Sequence, residues 1–307
     1  MARLRWGAAW WCACAALIWS GVSQAKPRLS DWTFSPVVGV MQPSLKSINE
    51  GIFQAPYSGQ AQLTTDFKQD LSGRFEYAVD TFMFRNPLPP VPLGPEAGIE
   101  FRRSLNAKTD FLIGISSWEM SSKSKITVIF PMQGDANNVA IYDRRGKLRI
   151  TQYYLGVRRF VGEKTRMFNA YFDLNLRQLF DIQYQDENVF SFQTGQPAGF
   201  KRIDIITARS TGVSMVQLGA GVEVRLMERI TVALEGDYAV GFTRPFLRNV
   251  TERQDFNAGD LITGRGTPIQ GGTANDAYYV PADGKGYSEA RLDLDGWRAA
   301  VKFNVEF

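Results

Sequence analysis

The sequence predicts an all-β chain folded as an antiparallel up-and-down barrel, most simply of eight strands. Three observations predict it. Several stretches alternate strictly between apolar and polar residues, which is the period of a strand with two unlike faces. The connections between them alternate between short and long. The polar faces carry opposite charges in equal number.

The strands, in order, are 31–41, 95–105, 109–119, 148–160, 166–178, 213–226, 229–242 and 296–307. In the first, Pro36 and Gly39 blur the two faces. The second sets Ile99, Phe101 and Leu105 against Glu100, Arg102 and Ser104, with Arg103 breaking the pattern. The third is more uniformly apolar, and the fourth places Tyr153, Leu155 and Val157 opposite Gln152, Tyr154, Gly156 and Arg158. The last four are unambiguous. Phe168, Phe172 and Leu174 oppose Asp173 and Arg177; Val216, Leu218 and Val222 oppose Gln217, Glu223 and Arg225. Leu234 and Tyr238 oppose Glu235 and Asp237, and Trp297, Val301 and Phe303 oppose Arg298, Lys302 and Glu306. Two further alternating stretches within 60–84 would raise the count to ten. Phe67, Leu71, Phe75, Val79 and Met83 in that segment also form the i, i+4 ladder of an amphipathic helix, which favours a helix or hairpin in a loop.

Tight joints stand at 106–109, 162–165 and 227–229, and long segments at 43–93, 121–147, 185–212 and 244–295. Strict alternation of the two puts the tight turns at one end of the barrel and the large loops at the other, with both termini at the tight-turn end.

The N-terminus has a different character. Arg3 and Arg5 precede the apolar run Trp6 to Val22, and Ser23-Gln24-Ala25 offers small residues for cleavage, so 1–25 is expected to be a signal peptide cut after Ala25. The mature domain is then 26–307. Both cysteines, Cys12 and Cys14, leave with the signal, so no disulfide is expected. Removing Arg3 and Arg5 from 35 basic residues leaves 33 against 31 acidic, a near balance that gives no sign of nucleic-acid binding.

The chain contains no histidine. The easiest general base near neutrality and the commonest metal ligand are therefore both missing. No GxSxG motif is present, and the Gly264–Gly266 GRG lacks the strand–helix context of a phosphate loop. The expectation is a non-enzyme with no metal and no cofactor; a histidine-free enzyme is the remote alternative. Calcium on Glu289, Asp293 and Asp295 lacks any EF-hand spacing.

Alternation alone does not say whether the apolar face meets a soluble core, as in a lipocalin-like barrel, or lipid. Export, loop asymmetry and the ending FNVEF favour lipid. Phe303, Val305 and Phe307 stand at every second position up to the final aromatic. This ending resembles the C-terminal signature of bacterial outer-membrane β-barrel proteins, with the small up-and-down architecture of outer-membrane proteins A and W. The resemblance implies location in the outer membrane, contact with its lipid and lipopolysaccharide, and recognition by the barrel-assembly machinery. No loop sequence identifies an extracellular ligand. Aromatics near strand ends (Phe160, Phe168, Tyr238, Phe242, Trp297, Phe307) are expected to form the interfacial girdles.

If the apolar faces meet lipid, the polar faces line the lumen. Six basic residues (Arg102, Arg158, Arg177, Arg225, Arg298, Lys302) then face six acidic ones (Glu100, Asp173, Glu223, Glu235, Asp237, Glu306). An eight-stranded barrel is just wide enough for its side chains to fill, and buried charges must be paired. The balance predicts a self-neutralising ion-pair network rather than the sign-biased lining of a selective channel. The expected role is envelope organisation, adhesion or ligand contact through the long loops, with a narrow channel as the alternative.

Overall fold

A computed structural model describes residues 32–54, 86–91, 93–132, 135–162, 164, 167–194, 198–199, 201–210, 212–241, 244–245, 247–256, 269–271, 276–277, 279–282, 286–289 and 291–307. The expected signal peptide, with Ala25, lies outside these residues, as does the 60–84 segment on which a ten-strand count would rest.

Ten principal strands form: β1 (Trp32–Pro43), β2 (Gly94–Asn106), β3 (Thr109–Met132), β4 (Asp135–Phe160), β5 (Phe168–Phe192), β6 (Lys201–Ser210), β7 (Val213–Met227), β8 (Ile230–Gly241), β9 (Leu247–Phe256) and β10 (Gly296–Glu306). Eight of them close a ring. Each of β1 to β5 pairs antiparallel with the next, β5 pairs with β7, β7 with β8, β8 with β10, and β10 returns to β1. The closing ladder runs from Thr33↔Glu306 to Pro43↔Gly296. Closure leaves the ring no free edge, so its backbone donors and acceptors are satisfied without solvent.

The tight turns fall where the sequence places them. Asn106 Oδ1 accepts the Lys108 backbone N–H at 2.9 Å, and Met227 pairs Ile230 across the β7–β8 turn. Outward positions form an apolar belt in which Ile113, Ile115, Phe172, Leu174, Leu218, Leu234, Val301 and Phe303 are all exposed. Tyr238 and Trp297 meet edge to face at 4.9 Å on its upper border. Arg103, which broke the alternation, follows the outward set and lies over the Trp32 ring at the rim of the tight-turn end. Phe160 departs from the expected girdle. It is 3% exposed and turned into the lumen against Tyr171, while Phe242 lies outside the described residues.

The larger correction concerns the loops. Segments 121–147 and 185–212 are mostly strand. β3 and β4 stay paired up to Met132↔Asp135, well beyond the last β2–β3 pair, Glu96↔Trp118. β5 changes partner at a bulge by Phe180: below it pairs β7, above it pairs β6 from Ile182↔Ser210. Gly212, at φ 71, makes the turn from β6 into β7, and its N–H donates to the Leu179 carbonyl. β6 in turn pairs β9. A second sheet, β3–β4–β5–β6–β9, therefore rises from one side of the barrel.

Segment 43–93 is also more than an excursion. Its start turns inward through Leu45 (φ 43) and a one-turn π-helix, Ser47–Ile52. Leu45, Ile48, Ile52, Phe53 and the returning Leu88 are all buried in the upper lumen.

Candidate functional site

The lumen is filled in two layers, a lower ionic one and an upper apolar one. In the ionic layer every ring strand except β1 supplies a charged side chain; the inward positions of β1 are Thr33, Ser35, Val37 and Gly39. Arg158 on β4 lies at the centre. Its Nε and NH2 donate to the two Asp173 oxygens at 2.8 Å each, and NH2 also reaches Glu235 Oε2 at 2.7 Å. Its guanidinium sits 3.8 Å from the Tyr171 ring centroid, and the Tyr171 hydroxyl donates to Glu235 at 3.2 Å. Lys302 bridges Glu100 and Glu235 at 2.7 and 2.6 Å, and Tyr154 donates to the same Glu100 oxygen at 3.0 Å.

Above this centre, Arg298 NH1 donates to Glu235 at 2.8 Å and Asp237 at 2.6 Å, while its Nε donates to Glu96. Arg177 also reaches Glu96, at 3.4 Å, and donates to Gln217. Below it, Arg102 NH1 donates to Glu223 at 2.7 Å and its Nε lies 3.3 Å from Asp110, which Lys164 pairs from the turn side.

Ten of the twelve residues expected in this network are therefore brought together: Glu100, Arg102, Arg158, Asp173, Arg177, Glu223, Glu235, Asp237, Arg298 and Lys302. Arg225 and Glu306 are not. Both sit near the tight-turn ends of their strands, below the charges that meet in the middle; both are partly exposed, and the Arg225 guanidinium donates to the Lys164 carbonyl at 3.4 Å. The structure adds Glu96, Asp110 and Lys164. Glu96 extends the Glu100–Arg102 face by two periods, past Gly98, and Asp110 opens a strand whose apolar run hid its face. The tyrosines fit because their neighbours are glycines: a Cβ on Gly114 would overlap the Tyr154 ring, and one on Gly221 the Tyr171 ring.

Asp173, Glu235 and Asp237 approach within 4.8 Å of one another, close enough for a cation. Arg158, Lys302 and Arg298 already occupy that role with their own charged donors.

The apolar layer packs Met41, Trp118, Met120, Leu148, Ile150, Leu179 and Ile182 from the walls around the inward-folded Leu45, Ile48, Ile52, Phe53 and Leu88. Arg144, 2% exposed, fastens that segment. Its Nε and NH2 donate to Asp186 at 3.0 and 2.5 Å, and the remaining donors reach the carbonyls of Ile52 (2.8 Å), Phe53 (3.1 Å) and Asn86 (3.3 Å). Burial opposes the Arg144 charge, but the Asp186 carboxylate outweighs it and holds the guanidinium pKa above the ordinary arginine range. The Asn86 amide donates to the carbonyls of Tyr142 and Ser124 at 2.8 and 3.1 Å, and Ser122 donates to the Pro89 carbonyl at 2.6 Å.

No family model matches the chain, and no curated protein matches it. Solved structures similar to it include CarO of Acinetobacter baumannii, at 12% identity and TM-score 0.32 over 69% of this chain and 92% of that one. The outer-membrane protease OmpT from Escherichia coli is similar at 6% identity and TM-score 0.32, over 93% and 100% of the two chains. A deletion mutant of the monoaromatic hydrocarbon channel TodX follows at 9% identity and TM-score 0.24, over 94% of each. At such values the fold rests on the chain's own hydrogen-bond ladder, which closes an eight-stranded barrel of the up-and-down architecture seen in outer membranes.

Proposed function

We propose that the chain is an integral outer-membrane protein whose barrel is sealed and whose work is done outside, on the sheet carried by β3 to β6 and β9. A closed ring with an apolar outer belt and a charged interior is the inverse of a soluble protein, and it suits lipid on the outside. The observation that carries the sealed reading is the junction of Arg158, Lys302 and Arg298 with the carboxylates of four other strands across the lumen. Fixed charges that neutralise one another leave no field to select an ion. The tight turns would face the periplasm and the tall sheet the exterior. FNVEF would present Phe307 to the barrel-assembly machinery. A rigid mount with a protruding sheet suits adhesion or envelope contact better than catalysis, given a chain without histidine.

Planar-bilayer recording tests the seal. The purified, heat-modifiable protein is expected to insert without conductance steps. Stable ion-selective steps would overturn the sealed reading in favour of a narrow channel.

A further inference from the structure

The barrel wall is uneven at its upper end. β3 and β4 stay paired up to Met132↔Asp135, whereas β1, β8 and β10 stop at Pro43, Gly241 and Gly296. On that low side a cleft of about 540 Å3 is lined by the rim and by the inward-folded segment together. Tyr238 and Trp297 give it aromatic surface, and Pro43, Pro90 and Val91 add further apolar surface. The two rings meet edge to face at 4.9 Å, and Trp297 stays 63% exposed, so its indole is open to a ligand.

Two acceptors in the cleft are incompletely satisfied. Asp295 Oδ1 accepts the Gly241 backbone N–H at 2.6 Å, which fixes the carboxylate against the top of β8. Asp295 is partly exposed, and no basic side chain among the described residues stands within ion-pair distance of it. Asn49 Oδ1, from the π-helix, is shielded from solvent and accepts no hydrogen bond among the described residues. A shielded acceptor without a donor is unfavourable and rare in folded proteins.

These features select one kind of ligand. A carboxylate without a counter-ion and an indole face both attract a cation. The orphan carbonyl of Asn49 requires an N–H or O–H donor. A neutral alcohol or sugar supplies donors but leaves the charge unbalanced. A quaternary ammonium balances the charge but offers Asn49 no donor.

We propose that this cleft binds a primary organic ammonium ion, an alkyl- or arylamine in its protonated form. Its N–H groups donate to Asn49 Oδ1 and the Asp295 carboxylate, and its charge lies against Trp297. Its hydrocarbon part packs on Tyr238 and the two prolines. The volume falls within the range of small-molecule pockets, about 300–1,000 Å3. The site goes beyond the sealed-mount reading, since it needs the rim and the inward-folded segment but neither conductance nor lipid.

The test is a calorimetric titration of phenethylammonium into the folded mature chain in dodecyl maltoside micelles, with protein-free micelles as the blank. Phenethyl alcohol and trimethylated phenethylammonium serve as the neutral and donor-free analogues. Asp295→Asn keeps an acceptor for the Gly241 N–H while removing the charge, and Asn49→Leu removes the orphan carbonyl. Asp143→Asn, an outward carboxylate of the tall sheet, is the charge control. Wild type and Asp143→Asn are expected to bind phenethylammonium saturably, the trimethylated form more weakly, and the alcohol no differently from the blank. Asp295→Asn should bind phenethylammonium about tenfold more weakly, the scale of one lost charge-assisted hydrogen bond. Asn49→Leu should lose the preference for the primary over the trimethylated ammonium. Heat-modifiable mobility shows that each variant is folded. Unchanged affinity in folded Asp295→Asn, a preserved preference in folded Asn49→Leu, or equal binding of alcohol and ammonium by wild type would each overturn the site. Absence of saturable binding by wild type would do the same. Should either cleft variant fail to fold, discrimination among the three probes by wild type decides the matter.

Discussion

Arg158 meets carboxylates from four strands, namely Glu100, Asp173, Glu223 and Glu235, and no part of its side chain reaches solvent. Removing it strands Asp173 and Glu235 as buried charges with fewer donors. Breaking a buried pair from one side costs about 3–5 kcal/mol, whereas a solvated position costs within about 0.5 kcal/mol. Arg158→Met should therefore shift the urea midpoint of detergent-solubilised barrel strongly downward, read by tryptophan fluorescence. Arg225→Gln and Glu306→Gln, outside the network, should leave that midpoint nearly unchanged. An equal effect of all three would mean that the network is not a unit. The contrast also marks what was legible at this scale. Period-2 alternation assigns a residue to a face but not to a height along the strand, so Arg225 and Glu306 share the inward set without reaching the partners gathered at mid-barrel. Glu96 and Asp110 are hard to read for a different reason: Gly98 separates Glu96 from the Glu100–Arg102 alternation, and Asp110 opens a strand whose apolar run shows no polar face.

Strands inside the apolar belt are easy to read because lipid and lumen demand opposite chemistries. Above the belt that demand lapses. In β4, outward Asp143, Arg145, Lys147 and Arg149 alternate with inward Tyr142, Arg144, Gly146 and Leu148, a mixture with little apolar contrast. The extensions of β3 to β5 and the whole of β6 were thus hidden in expected loops, although every ring strand was legible. The inward-folded segment was hidden too, because its key contact joins Arg144 to backbone carbonyls, which leave no mark in a sequence. Arg144 yields the element-scale prediction. Leu88 is 1% exposed beneath that contact, and with Cys12 and Cys14 expected to leave with the signal, a Leu88→Cys variant carries one thiol. That thiol should be nearly inert to a water-soluble maleimide. Adding Arg144→Met removes several charge-assisted hydrogen bonds and should speed labelling by about tenfold or more, through local opening of the upper layer alone. Labelling that does not accelerate would show that apolar packing holds the segment without the arginine.

At the scale of the whole molecule, the closing seam between β1 and β10 separates folding from delivery. Thr33↔Glu306 through Pro43↔Gly296 hold the ring shut by backbone pairing, and Lys302 and Arg298 lock the same strand to β2 and β8 from inside. Phe307 adds one backbone N–H to the Trp32 carbonyl at 3.1 Å, and its side chain is 56% exposed on the outside. Its loss should cost the finished barrel little, since neither seam nor network depends on that ring. If the FNVEF ending serves as an assembly signal, however, its absence is felt before the barrel exists. Phe307→Ala is therefore expected to refold in detergent micelles with the heat-modifiable mobility and urea midpoint of the parent. In cells it should reach the outer membrane at a severalfold lower level, as followed by fractionation and blotting. Loss of refolding in micelles would make Phe307 a structural closure residue, and an unchanged cellular level would remove the assembly role.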